Sequence, residues 1–195
     1  MFWPFNREQR AKARQSAATI AAIYGMIVAQ ARLPVFYEQG EVPDTVNGRF
    51  DMILLHLWLV MRRLRTDQAA PAHAIPGQIS GPAAEDMAQG LLNRFCSDMD
   101  DNLREMGVSD LKVPKRMVGF AEAFYGRSKA YDAALDAGDR TALAQALSRN
   151  IFSEPAAEVA GAARLVDYVV ETASLLSAAT LADISAGRFK FAQFK

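Results

Sequence analysis

The sequence predicts an all-α, single-domain bundle of about six helices with short connections. Three observations predict it: apolar residues recur at spacings of three and four, prolines and glycines fall where such helical stretches begin and end, and sustained strand alternation is missing, the C-terminal tail being the one candidate for it. At 195 residues the chain is long enough to bury a substantial core in one domain.

Asn6 can cap a first helix that carries Ala17, Ile20, Tyr24, Ile27 and Ala31 on one side and ends near Arg32, because Pro34 disfavours helical backbone just before it. Pro43 punctuates the next start, where Asp44 or Thr45 can accept hydrogen bonds from the first free N–H groups. Val46, Phe50, Ile53, Leu57, Val60 and Leu64 then form one stripe, while Met52, Leu55 and Leu59 lie on other faces. A helix apolar nearly all round belongs in the middle of a bundle.

Residues 66–82, with Pro71, Pro76, Gly77, Gly81 and Pro82, predict an internal loop. A helix from Ala83 to Met106 follows, with Leu92, Phe95, Met99, Leu103 and Met106 inward and Gly107 as its stop. Pro114 suits the first turn of a helix that ends at Gly138. Gly119 and Gly126, seven apart on that helix, predict close backbone approach of a neighbouring helix, since each costs roughly 1 kcal/mol against alanine. Gly48 invites the same reading. Asp139 can cap a short helix to about Asn150, and Pro155 opens the last long one, with Ala162, Val166, Val169, Ala173 and Leu176 repeating. The tail, residues 186–195, is basic and carries Phe189, Phe191 and Phe194, which either dock on the body or form an exposed contact surface.

Lys plus Arg equals Asp plus Glu, so no global field pulls the chain onto nucleic acid or an acidic membrane; an electrostatic partner must be recognised by a local patch. Cys96 is the one cysteine, which excludes an intrachain disulfide and a cysteine-based metal site, and its place beside Phe95 and Met99 predicts an inert thiol. The longest apolar run, Met52 to Met61, is about half of the roughly 20 residues a membrane span needs and predicts a buried helix.

Candidate chemistry is sparse. His56 and His73 are the two histidines, and neither belongs to an H-x-x-x-H or E-x-x-H pair of the kind a zinc site uses. Asp98, Asp100, Asp101 and Glu105 lie in a helical pattern without the glycine an EF-hand loop requires, and predict a solvated face softened by Arg104. Phosphate loops, dinucleotide fingerprints and nucleophile elbows are missing. The expectation is a non-enzyme without catalytic residues, cofactor or metal.

Three segments in order resemble the ubiquinol–cytochrome c chaperone family: Y-G-M-I-V-A-Q-A-R-L-P-V-F-Y at Tyr24 to Tyr37; V-P-D-T-V-N-G-R-F-D and L-L-H-L-W-L-V-M-R-R-L within Val42 to Leu64; and D-M-D-D-N-L-R-E-M-G-V-S-D with F-Y-G-R-S-K-A-Y-D-A-A-L within Phe95 to Leu135. The D-I-S-A-G-R-F ending adds to the likeness. The resemblance implies an all-helical chaperone that binds newly made cytochrome b and assists assembly of the cytochrome bc complex (respiratory complex III), so the expected partner is cytochrome b or another subunit of that complex. Mitochondrial members work with a small partner protein near the ribosome; without the long N-terminal extension expected of a mitochondrial precursor, this chain is expected to be a bacterial relative. The expected location is the cytoplasm, at the inner face of the membrane (the matrix side in a eukaryote), with peripheral membrane contact and no nucleic acid partner.

The polar and aromatic residues of the matching segments, Arg32, Tyr37, Asp44, Arg49, Asp51, Tyr125, Arg127 and Tyr131, are the candidate partner-binding set. For each, a local structural role competes: Asp44 as a cap, Arg49 and Asp51 in local pairs, Tyr131 in the core. The alternative function is a carrier of a small hydrophobic ligand in a bundle cavity, lined by the Met- and Phe-rich helices. An enclosed apolar cavity would favour the carrier; a filled core with an exposed apolar groove would favour the chaperone.

Overall fold

The computed structural model describes residues 5–68, 82–152 and 160–195. The first helix, α1 (Phe5–Ala31), ends as expected before Pro34. Leu33 turns extended, and Pro34, with its φ already set for a helix, opens the one-turn α2 (Pro34–Glu38), which lies inside what the sequence suggested was a plain connection. On α1, Ile20, Ile23, Tyr24, Ile27 and Ala31 are buried. Every described side chain from Gln9 to Ala18 is exposed, Ala17 included, so the helix projects past the core before it begins to pack.

The second long helix, α3 (Val46–Gln68), is capped by Thr45, whose Oγ1 accepts the Gly48 amide at 3.1 Å. A Cβ at Gly48 would sit 2.0 Å from the Pro43 carbonyl oxygen, so the turn into α3 requires glycine there. All residues from Asp51 to Met61 are buried. Fully burying each large apolar side chain contributes about 1.5–3 kcal/mol, so this unbroken run is a substantial part of the core. The expected inward position of Val46 is corrected: it is 69% exposed, because the first turn of α3 extends beyond its neighbours. The helix also continues through Gln68, so residues 66–68 are not loop. The rest of the expected loop, residues 69–81 with His73, lies outside the described residues.

The next pair, α4 (Pro82–Glu105) and α5 (Val113–Asp136), is separated by a stop at Gly107, whose φ of 77° suits glycine. Gly138, at φ 64°, ends α5 in the same way. The expectation for Gly119 and Gly126 fails: nothing lies within 4 Å of a Cβ placed at either, and both are exposed. The helical spacing placed them on one face but could not say whether a neighbour covered that face.

Asp139 caps α6 (Arg140–Leu147), accepting the Ala142 amide at 2.9 Å as its sequence position predicted. A π-helical turn (Ser148–Phe152) follows. Pro155 lies outside the described residues, and α7 is described from Ala160 to Ala178. A final turn, α8 (Leu181–Ser185), carries a reciprocal capping box between Thr180 and Asp183. No strand occurs among the described residues.

The central helix α3 packs against α1, α4, α5, α7 and the π turn, which explains why it is apolar on every side. The stretch Gln9–Glu38 is long and apolar enough by length and composition to cross a membrane. Its C-terminal half nevertheless buries one face against α3 and α4. Asp132 on α5 ties the bundle laterally: it accepts Trp58 Nε1 at 3.0 Å and the guanidinium groups of Arg62 and Arg65 at 2.8 Å each. The tail docks, deciding the alternative left open by the sequence. Phe189 is buried, the Ala192 amide donates to Thr172 Oγ1 at 3.1 Å, and the Phe194 ring lies 5.0 Å from Phe36. The acidic stretch of α4 is mostly an outer face: Asp98 accepts the Tyr24 hydroxyl at 2.9 Å, and Asp100 pairs with Arg104 at 2.8 Å.

Candidate functional site

Two adjoining clefts open where the start of α3 meets the end of α1, α2, the C-terminal half of α4 and the outer part of α5. They share Arg32 and Arg49. The smaller, about 300 Å³, is polar and lined by Arg32, Pro34, Tyr37, Glu38, Asp44 and Arg49. The larger, about 830 Å³, has an apolar floor that includes Phe50, Ile53, Met99, Leu103 and Phe120. The Phe50 and Phe120 rings meet at 4.6 Å, joining α3 to α5 across this floor. Val46 and Met106, at 69% and 58% exposure, stand at its edge. These exposed apolar side chains are grouped beside a concave floor rather than scattered singly.

Five guanidinium groups line the larger cleft, Arg32, Arg49, Arg116, Arg127 and Arg149, against the single carboxylate of Asp51. Arg127 donates to Asp51, joining α5 to α3, and both side chains are largely buried, at 21% and 10% exposure. Burial pushes the Asp51 carboxyl up, and the Arg127 charge and hydrogen bond pull it down. Arg49 forms a two-pronged pair with Asp44, at 2.6 and 3.2 Å, which lowers the Asp44 carboxyl and raises the Arg49 guanidinium. Arg32, Arg116 and Arg149 make no ion pair among the described residues. The neutral chain thus concentrates positive charge in one place.

Of the residues singled out from the sequence, Arg32, Tyr37, Asp44 and Arg49 line the small cleft, and Arg32, Arg49, Asp51 and Arg127 line the large one. Two fall elsewhere. Tyr131 is 2% exposed, its ring 5.0 Å from Trp58, with its hydroxyl pushed up to about 12 by burial; it is a core residue beyond a partner's reach. Tyr125 is 59% exposed on α5, against the Phe124 ring, outside both clefts. Tyr37 is half-buried, and its hydroxyl donates to the Ala31 carbonyl at 2.8 Å, so it also closes the α1–α2 turn.

Sequence reading did not single out Arg116, Phe120 and Arg149, and it placed Met106 inward. The spacing of Arg116, Phe120 and Arg127, four and then seven residues along α5, was the signal available for three cleft residues on one helix face. Arg149 carried none, because the π turn rather than a regular helix aims it. Cys96 is half-buried and its thiol is raised by burial, in keeping with the inert role expected of it. Among the described residues no group of three or more His, Cys, Asp and Glu side chains is placed to hold a metal ion.

The profile of the "Ubiquinol-cytochrome C chaperone" family matches residues 38–191. The crystal structure of the Cbp3 homolog from Brucella abortus superposes with a TM-score of 0.81 at 36% sequence identity, over 97% of each chain. The ubiquinol-cytochrome-c reductase complex assembly factor 1 of Xenopus laevis is 26% identical over 134 residues, 69% of this chain and 60% of that protein. Its Homo sapiens counterpart is 26% identical over 152 residues, 77% of this chain and 46% of that protein. The chain thus spans about half the length of the curated relatives it matches.

Proposed function

This chain belongs to the ubiquinol–cytochrome c chaperone family, and we propose that it is an assembly factor for ubiquinol–cytochrome c reductase that binds newly made cytochrome b through the arginine-lined cleft and carries out no bond chemistry. The observation that carries the proposal is the cleft itself: an apolar floor left open on a helical body, in a chain whose relatives are named for assembly of this complex. A membrane protein exposes apolar surface before assembly, and a concave apolar floor with a polar rim is suited to cover part of it. The openness of the cleft, with Val46 and Met106 at its edge, supports a surface role over the carrying of a small ligand in a sealed cavity. The same reading puts the protein on the cytoplasmic face of the membrane that receives cytochrome b, in peripheral contact with it, or on the matrix side in a mitochondrion.

Deleting the gene is expected to lower assembled cytochrome bc complex on native gels while transcripts of its subunits stay unchanged, and a photo-crosslinking residue at Val46 is expected to capture cytochrome b during its synthesis. Normal complex levels in the deletion strain would overturn the assembly role. Capture of cytochrome b only from a face remote from Val46 would overturn the use of the cleft.

A further inference from the structure

We propose that the occupant of the large cleft is a short amphipathic segment of the partner protein that presents apolar side chains to the floor and carboxylates to the rim. This rests on the proposed use of the cleft for a protein partner and adds the chemistry by which that partner is chosen. The chain as a whole is neutral, yet the cleft gathers five arginines against Asp51, and only Arg127 and Arg49 have their charge answered, by Asp51 and Asp44. Arg32, Arg116 and Arg149 stand at the rim without an ion pair among the described residues, and all three are exposed. Guanidinium groups left unpaired beside an apolar floor favour carboxylate-bearing ligands and repel basic ones.

The dimensions decide between a peptide and a lipid headgroup. Arg116 and Arg127 lie on one face of α5 with Phe120 between them. Eleven residues of helix span about 16 Å at 1.5 Å per residue. A single phosphate reaches one end of that row. A segment of about three helical turns covers its whole length, laying apolar residues over Phe50 and Phe120 while an acidic residue at one end meets the unpaired Arg116, the geometry of a helix laid in a groove. Arg32 and Arg149, the other two arginines of this cleft without an ion pair among the described residues, are available to further carboxylates of the same segment.

The test uses the full chain and fluorescein-labelled 18-residue helical peptides with leucines at helical spacing, flanked by glutamates in one peptide and lysines in the other, alongside phosphatidylglycerol vesicles. The glutamate peptide is expected to bind at least tenfold more tightly than the lysine peptide. Its affinity is expected to fall about tenfold in R116E/R149E, to survive in R116K/R149K, and to weaken as salt rises. Circular dichroism keeps the comparison to folded variants. Equal binding of the two peptides, no binding of either, or indifference to R116E/R149E would overturn the proposal, as would vesicles that displace the glutamate peptide with the same arginine dependence. Complex III levels in the gene-deletion strain test the assembly role separately, so that role can stand while this inference falls.

Discussion

The His56 Nε2 and the Tyr168 hydroxyl oxygen lie 2.7 Å apart, although 112 positions separate them in the chain. The other ring nitrogen, Nδ1, is 2.7 Å from the Met52 carbonyl oxygen, which can only accept, so Nδ1 carries the proton and Nε2 accepts from Tyr168. Gln30 Nε2 in turn donates to the Tyr168 oxygen at 3.2 Å. This chain of bonds joins α1, α3 and α7, with His56 and Tyr168 buried and Gln30 partly so, and the Phe191 ring of the tail lies 5.2 Å from the imidazole. His56 is therefore a structural histidine with both nitrogens satisfied, as buried polar groups require.

Burial brings the His56 pKa down to about 4, from an unfolded value near 6.5. The unfolded chain therefore binds this proton first as pH falls. The contribution of neutral His56 to stability is complete above about pH 6.5 and is lost as pH falls toward 4, by up to about 3 kcal/mol. Urea unfolding at pH 7 and pH 4.5 is expected to show this loss in the natural chain and a smaller one in His56→Gln. An identical pH slope in the two would remove His56 as its source.

The Asp51–Arg127 pair is mostly buried, so breaking it leaves a charge without its partner. Arg127→Met is expected to destabilise by about 3 kcal/mol. Adding Asp51→Asn to that variant is expected to recover much of the loss, measured as a double-mutant cycle in urea. Strict additivity of the two substitutions would show that the pair is not coupled.

Val46 and Met106 are exposed and line the cleft. The variant V46E/M106E is expected to unfold within about 0.5 kcal/mol of the natural chain, as surface changes usually do. Assembled cytochrome bc complex in cells carrying it is expected to fall toward the level of the deletion strain. A normal amount of complex would exclude these edge positions from function.

An added Cβ at Gly119 or Gly126 meets nothing within 4 Å, and both glycines lie inside α5. Alanine at either site is expected to stabilise by about 0.5–1 kcal/mol through helix propensity alone. A lower denaturation midpoint in either variant would reveal a neighbour at that face.

Phe189 is 5% exposed in the docked tail. Phe189→Ala is expected to cost about 3 kcal/mol, the usual penalty for emptying a buried phenylalanine site. Calorimetry would detect it as a drop in melting temperature, and an unchanged value would mean that the tail contributes little to the folded state.

Local chemistry made most of the helices legible. Pro34, Gly107, Pro114, Gly138 and Asp139 act through their own backbone geometry or their own side-chain oxygen, so each marks a boundary without knowledge of the fold. The one-turn helices α2 and α8 escaped because five residues are too few to show a period, although the Thr180–Asp183 cap was readable.

From the sequence by itself came the all-helical class, the central position of the 52–61 run, the family resemblance, and six of the residues that later proved to line the clefts, Arg32, Tyr37, Asp44, Arg49, Asp51 and Arg127. Tertiary structure alone decided that Val46 and Met106 face outward, that Tyr131 is sealed beneath Trp58, that Gly119 and Gly126 have no neighbour, and that the tail docks. The physical reason is that helical periodicity assigns a residue to a face, whereas burial depends on whether another element reaches that face. The arginine cluster is the clearest case: Arg32, Arg116 and Arg149 come from the α1–α2 connection, α5 and the π turn, and only packing brings their charges to one cleft.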